Sequence, residues 1–308
     1  MNPVIMPPTG NDQATALREL VSNKKDSSTA LKVAGMRSIA VLSGKGGVGK
    51  SNVAVNAALA LAEMGLRIAV LDADLGLANI DILFGVVPKF NLGHVLKGEK
   101  ELAEILFKVS ENVFIIPGGA GLQELADLDE QRQLRIIERL GFLENDIDLL
   151  ILDTSAGIHK NVLSFATSAD MSVLLTTPEP TAIRDAYSVL KSLCQATEGS
   201  VNIGLVVNMA ADEKEASLVA DRIVSAAEQF LNYKVRYLGC ILWDQKLREA
   251  VKNRKPLLLS GEESVSIPCF RALAEKLSDP QGGKKNKSLR EDSFLRRLAR
   301  QMRKKGIR

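Results

Sequence analysis

An α/β fold is predicted by the sequence: a single doubly wound, mostly parallel sheet with helices on both faces. Three observations carry the prediction. From Arg37 onward short apolar runs alternate with helical patterns, a glycine-rich loop joins the first run to the first helix, and carboxylates stand where later runs end. Such alternation implies crossover connections, which gather binding residues at the carboxyl ends of the strands.

The first strand, Ser38-Ile-Ala-Val-Leu-Ser43, is an apolar run of the kind buried on both faces. It leads into Gly44-Lys45-Gly46-Gly47-Val48-Gly49-Lys50-Ser51, which fits the phosphate-cradling pattern GxxxxGK[ST]. In that pattern glycines let backbone N–H groups approach phosphate oxygens, a lysine reaches the outer phosphates, and a hydroxyl ligates magnesium. Lys50 and Ser51 fill the last two roles. Residues 51–64 are rich in alanine and leucine at helical spacing, so a helix start points its free N–H groups at the same anion. Gly44 through Asn52 are therefore the candidate cofactor-binding residues. Lys45 is a spare charge, because Lys50 already serves the phosphates.

Further strands are predicted at Ile68 to Leu71, Val113 to Ile116, Leu149 to Leu152, Ser172 to Thr176, Ile203 to Val207 and Val235 to Ile241. The first of these ends in Asp72-Ala-Asp74, another in Asp153-Thr-Ser-Ala-Gly157, and a third in Asn208. Carboxylates beside Mg²⁺ and a terminal phosphate hold metal through water or position the attacking water. The amide of Asn208 suits a nucleobase edge.

At 308 residues the chain has room for one large α/β domain or two small ones. No apolar run reaches the ~20 residues that span a bilayer, and the first 36 residues are mostly polar, so a cytoplasmic protein is expected. Cys194, Cys240 and Cys269 lie far apart, which points to buried thiols rather than a disulfide framework, a metal site or an iron–sulfur centre. The net charge of +3 is unevenly spread: residues 284–308 carry +9 and the rest −6. DNA binding by the body is therefore not expected.

With GKGGVGKS, Asp72-Ala-Asp-Leu-Gly-Leu-Ala-Asn-Ile-Asp81 and Asp153-Thr-Ser-Ala-Gly157 together, the chain resembles the MinD/ParA group of deviant Walker A ATPases over about residues 37–278. The resemblance implies a P-loop fold, ATP and Mg²⁺ as ligands, ATP hydrolysis, and an ATP-bound homodimer. Lys45 matches the signature lysine that crosses to the nucleotide of the facing subunit. Lys50 and Ser51 match the phosphate and Mg²⁺ residues, Asp74 the water-activating residue of the first switch, Asp153 the start of the second, and Asn208 an adenine contact. Asp72 is either structural or linked to the metal. Residues 240–244, Cys-Ile-Leu-Trp-Asp, depart from the family, whose members often carry a proline near the adenine there.

Within the group, Thr176-Thr-Pro-Glu-Pro-Thr-Ala-Ile-Arg-Asp-Ala-Tyr187 looks most like the flagellar branch known as FlhG, FleN or YlxH. In the leader, Asp12, Gln13, Ala14, Leu17 and Arg18 match the DQAxxLR motif, which in that branch binds the GTPase FlhF and stimulates its hydrolysis. Other flagellar basal-body or regulatory proteins are further partners that the resemblance implies. A division-site MinD and a chromosome- or plasmid-partitioning ParA are the alternatives. Three parts are expected: a flexible leader with a short helix (1–36), the ATPase domain (37–280) and a basic tail (281–308).

On a helix, Phe294, Leu295, Leu298 and Met302 share one face and Arg296, Arg297, Arg300 and Arg303 the other. A basic amphipathic helix of this kind lies in the headgroup region of an anionic membrane, with roughly 1 kcal/mol from each nearby basic residue. A solvated tail or a nucleic-acid contact is the other reading. Relatives favour reversible membrane attachment, strengthened when a dimer doubles the helices.

Overall fold

The computed structural model describes residues 36–74, 79–118, 143–279 and 293–303. Its strands are β1 (Arg37–Ser43), β2 (Ile68–Ala73), β3 (Phe107–Ser110), β4 (Val113–Ile116), β5 (Leu149–Thr154), β6 (Met171–Thr176), β7 (Ile203–Ala210) and β8 (Arg236–Leu242). They form one sheet in the order β3-β4-β2-β5-β1-β6-β7-β8, parallel except where β3 meets β4. The predicted class is the observed one. β3 is an addition: Phe107-Lys-Val-Ser110 is partly exposed along its length and folds back antiparallel on β4, so no continuous apolar run announced it.

The helices are α1 (Lys50–Glu63), α2 (Ile80–Phe84), α3 (Leu92–Leu96), α4 (Leu102–Ile105), α5 (Leu143–Asp146), α6 (Lys160–Ser168), α7 (Pro180–Thr197), α8 (Glu213–Leu231), α9 (Gln245–Lys252), α10 (Leu257–Ser260), α11 (Ser266–Ser278) and α12 (Phe294–Arg303). Strand side chains alternate, so Ile39 and Val41 enter one core and Ala40 and Leu42 the other. The first core is closed by α1 and α11 through Val53, Leu61, Phe270 and Leu273. The second is closed by α6, α7 and α8 through Phe165, Leu190 and Ile223. Burial of each such side chain contributes about 1.5–3 kcal/mol, which is why the central strands are apolar on both faces.

β1 is fixed at its start as well as by its ladder. The Arg37 guanidinium donates to the carbonyls of Leu277 (3.1 Å) and Ser278 (3.0 Å), and so covers the last turn of α11. The backbone N–H and hydroxyl of Ser38 both donate to Asp170 Oδ2, at 2.8 and 2.7 Å.

The tail helix corrects one expectation. Phe294 and Leu298, read as lipid-facing, are 2% and 4% exposed and belong to the same core as Phe165. Arg297, read as part of the polar face, is buried too: its Nε donates to Ser168 O (2.7 Å) and its Nη2 pairs with Asp170 Oδ1 (2.7 Å). Phe294 and Leu298 thus seat the helix on α6, whose C-terminal carbonyls want a cation. The side chains of Leu295 and Met302 lie outside the described residues, as does the whole leader with Asp12, Gln13, Ala14, Leu17 and Arg18.

Substituting Arg297→Ala leaves Asp170 without its cation and is expected to loosen α12 by about 3 kcal/mol. Amide hydrogen exchange should accelerate across 294–303 and stay unchanged in α11; equal protection in both proteins would refute the ion pair as the clasp.

Candidate nucleotide site

The carboxyl ends of β1, β2, β5 and β7 meet at one edge of the sheet, and the glycine loop lies over them. Gly47 and Gly49 take positive φ angles of 80° and 89°, a conformation that costs any other residue strain. A Cβ on Gly49 would sit 2.4 Å from Asn208 Nδ2, and one on Gly44 only 2.2 Å from the carbonyl oxygen of Asp185. The loop is therefore wedged between the end of β7 and the flank of α7. Ser43 Oγ donates to Lys45 O (2.8 Å), and the second switch is stitched to the same strand by Gly157 N to Ser43 O (2.8 Å) and Thr154 Oγ1 to Val41 O (2.8 Å).

A cavity of about 770 Å³ opens beside this loop. Of the residues expected at the site, Gly46, Gly47, Gly49, Lys50, Ser51, Asn52, Asp74 and Asn208 line it. Val48 is buried behind it and accepts a hydrogen bond from Asn208 Nδ2 (2.8 Å) on its carbonyl. Gly44 and Lys45 stand outside the lining.

Lys50 is 9% exposed, and burial lowers its pKa against the pull of Asp153 and Asp74. Asp153 is 1% exposed, with neither carboxylate oxygen accepting a hydrogen bond. Burial, with Asp72 and Asp74 adding to it, pushes its pKa up to about 7 although Ser51 and Lys50 oppose the shift. Asp72 pairs with Asp153 in strand register, yet its oxygens are engaged: Oδ2 accepts from the N–H groups of Asn79 (2.8 Å) and Ile80 (3.2 Å), Oδ1 from Asp74 N (3.2 Å). Its pKa is raised by burial and held back by those three donors. Asp72 is thus bonded to backbone on both sides of the first switch, whereas Asp153 has two free acceptors facing a lysine and a hydroxyl. Unpartnered buried carboxylate oxygens next to Ser51 fit a hydrated divalent cation.

Lys45 points elsewhere. Its Nζ lies 2.6 Å from Glu179 Oε2 and 3.2 Å from Thr181 Oγ1, at the N-terminal end of α7, and its side chain is 41% exposed. Sequence reasoning marked the 176–187 segment for its resemblance and missed this contact, which no spacing rule signals. It also assigned no role to Met209 or Trp243, which line the cavity, or to Asp244, which caps α9 by accepting from Lys246 N (2.8 Å). The last was legible as an N-cap before a helical pattern.

A glycine loop between parallel strand and helix, with Lys50, Ser51 and the Asp74 carboxylate lining one cavity and Asp153 buried outside that lining, defines a nucleotide-binding domain of the P-loop class. The CobQ/CobB/MinD/ParA nucleotide binding domain model matches residues 39–257, and the chain belongs to that family, in the branch with the flagellar regulators. It is 37% identical to the antiactivator FleN of Pseudomonas aeruginosa over 239 residues, covering 78% of this chain and 85% of FleN. It is 35% identical to the flagellum site-determining protein YlxH of Helicobacter pylori over 249 residues, covering 80% and 83%. Among solved structures it resembles the septum site-determining protein MinD complexed with Mg-ADP from Pyrococcus horikoshii, with a TM-score of 0.64 and 27% identity over 79% of this chain and 96% of that one. Among the described residues no helix is long and apolar enough to cross a membrane.

Proposed function

We propose that this protein is a Mg²⁺-dependent ATPase that alternates between a monomer and an ATP-bound homodimer, associates reversibly with the inner face of the cell membrane, and sets flagellar number or placement by acting on an FlhF-type GTPase. The observation that carries this reading is the division of the two lysines: Lys50 lines the cavity, and Lys45 stands outside it on an outward-facing surface. One subunit can supply phosphate binding by itself. The second lysine suits the nucleotide of a facing copy.

In this reading the N–H groups of Gly46 to Ser51 hold the phosphates and Lys50 pairs with their charge. Ser51 and Asp153 would hold Mg²⁺, Asp153 through water. The cation supplies charge neutralisation at the transferring phosphoryl group. Asp74 lines the cavity and orients the attacking water, and Asn208 contacts the adenine. α6 begins three residues after Gly157 and carries α12, so a shift of the second switch bears directly on the helix that covers Phe294 and Leu298. Membrane attachment then requires α12 to leave α6, which exposes the apolar stripe to lipid. The DQAxxLR segment acts on the GTPase.

Size-exclusion chromatography with ATP, ADP or no nucleotide, repeated with anionic vesicles, tests the cycle: a dimer and vesicle binding are expected with ATP alone. Deleting residues 1–20 should spare ATPase activity and remove stimulation of the FlhF-type GTPase. Monomers in all three conditions refute the switch, and stimulation by the truncated chain refutes the leader assignment. The similarity to Pyrococcus horikoshii MinD favours a septum-site role as the second reading, which loss of cell-division placement with normal flagellation in a deletion strain would support.

A further inference from the structure

The outer wall of the cavity carries Trp243, the single tryptophan of the chain. We propose that Trp243 is the stacking platform for the nucleobase whose edge Asn208 meets. This deepens the ATPase reading and rests on it.

The ring is half exposed, at 51%, on a backbone that is held on both sides. Trp243 N donates to Ala210 O at 2.7 Å, which ties the residue to the end of β7. Its successor Asp244 is buried, and accepts from the Ser264 hydroxyl, Lys246 N (2.8 Å) and Ser266 N (3.3 Å). A large aromatic surface is thus fixed at its root and open toward a cavity, the arrangement that lets stacking proceed with little ordering cost.

Asn208 provides the second half. Its side chain is buried at the same cavity, and Nδ2 is committed to Val48 O. That bond sets the amide's orientation, because the flipped amide would oppose two carbonyl oxygens. Oδ1 is left buried with no donor. An acceptor in want of a donor suits the exocyclic amine of adenine, whereas guanine places a carbonyl at the equivalent position. Between these residues Met209, with φ of 60°, turns a polarisable thioether to the same cavity. An aromatic face, a soft thioether and one acceptor, set apart from Lys50, make a base subsite.

Calorimetric titration of Mg²⁺ with ATP, GTP or inorganic tripolyphosphate into the wild type, Trp243→Ala and Trp243→Phe, with tryptophan emission followed in the wild type, tests this. Trp243→Ala is expected to weaken ATP binding about 10-fold, within the range alanine substitution of stacking aromatics shows, and Trp243→Phe to retain most of the affinity. Tripolyphosphate should bind all three proteins alike, GTP should bind the wild type more weakly than ATP, and ATP should quench emission more than tripolyphosphate does. Wild-type ATP binding that Trp243→Ala leaves within twofold overturns the platform while sparing the ATPase reading. Equal losses for ATP and tripolyphosphate overturn it as well, since the residue then acts only through the loop. Absence of any ATP binding to the wild type removes both.

Discussion

Replacing Lys45 with alanine is expected to abolish ATP-dependent dimerisation while leaving the ATP affinity of the monomer within about threefold of wild type. The monomer hardly depends on this side chain: its contact with Glu179 joins groups whose side chains are 41% and 64% exposed, and such a surface pair contributes at most about 1 kcal/mol. The lysine stands outside the cavity lining, so the phosphates keep Lys50. In a twofold dimer the loss is counted twice. Truncating one member of a desolvated charge pair at an interface costs about 2–5 kcal/mol, so two copies raise the dimer dissociation constant by at least about a thousandfold. Sedimentation with a non-hydrolysable ATP analogue reads that change, and a persistent dimer would place Lys45 elsewhere in the mechanism.

Asp153→Asn is expected to lower hydrolysis by about 10- to 100-fold, as loss of an outer-shell partner of a metal does, and at the same time to stabilise the nucleotide-free protein at pH 8. The two effects share one cause, a carboxylate buried with no donor to either oxygen. Its pKa is 3.8 in an unfolded chain and about 7 in the fold. Below pH 4 both states hold the proton and nothing is lost. Between pH 4 and 7 the folded state keeps a proton that the unfolded state has released, so stability falls as the pH rises. Above pH 7 the full penalty applies, on the order of 4 kcal/mol. Asparagine carries no charge to bury, so its melting temperature should exceed that of the wild type by several degrees at pH 8 and converge with it near pH 4. A variant less stable than the wild type at pH 8 would mean that Asp153 is held by groups the structure does not show.

Much of this site was legible because its chemistry is local in sequence. Gly44 to Ser51 sit on one turn, and their spacing alone states the ligand class; Asp74, Asp153 and Asn208 each close an apolar run, and parallel topology does the rest. What escaped was non-local. Glu179 meets Lys45 across 134 positions, and Arg297 meets Asp170 across 127, pairings that no single segment encodes. The tail misled for a related reason. A helical wheel split into two faces puts Arg297 with the other arginines, but it stands three residues after Phe294, on the flank of the buried face, where its side chain reaches Ser168 O and Asp170. β3 escaped because Lys108 interrupts its apolar character at an edge where only one face needs covering.

The docking of α12 on α6 makes the tail a ligand of its own chain. Belonging to the same chain, it meets that surface as an intramolecular partner, at a fixed effective concentration that dilution does not lower. In the proposed cycle a lipid surface would have to outcompete this internal partner, so the affinity of the whole protein for vesicles would be that of the bare helix divided by the docking equilibrium. Phe294 and Leu298 would then answer to two solvents, and a substitution that improves their fit in the core they share with Phe165 would withdraw the protein from the membrane without altering a single contact with lipid.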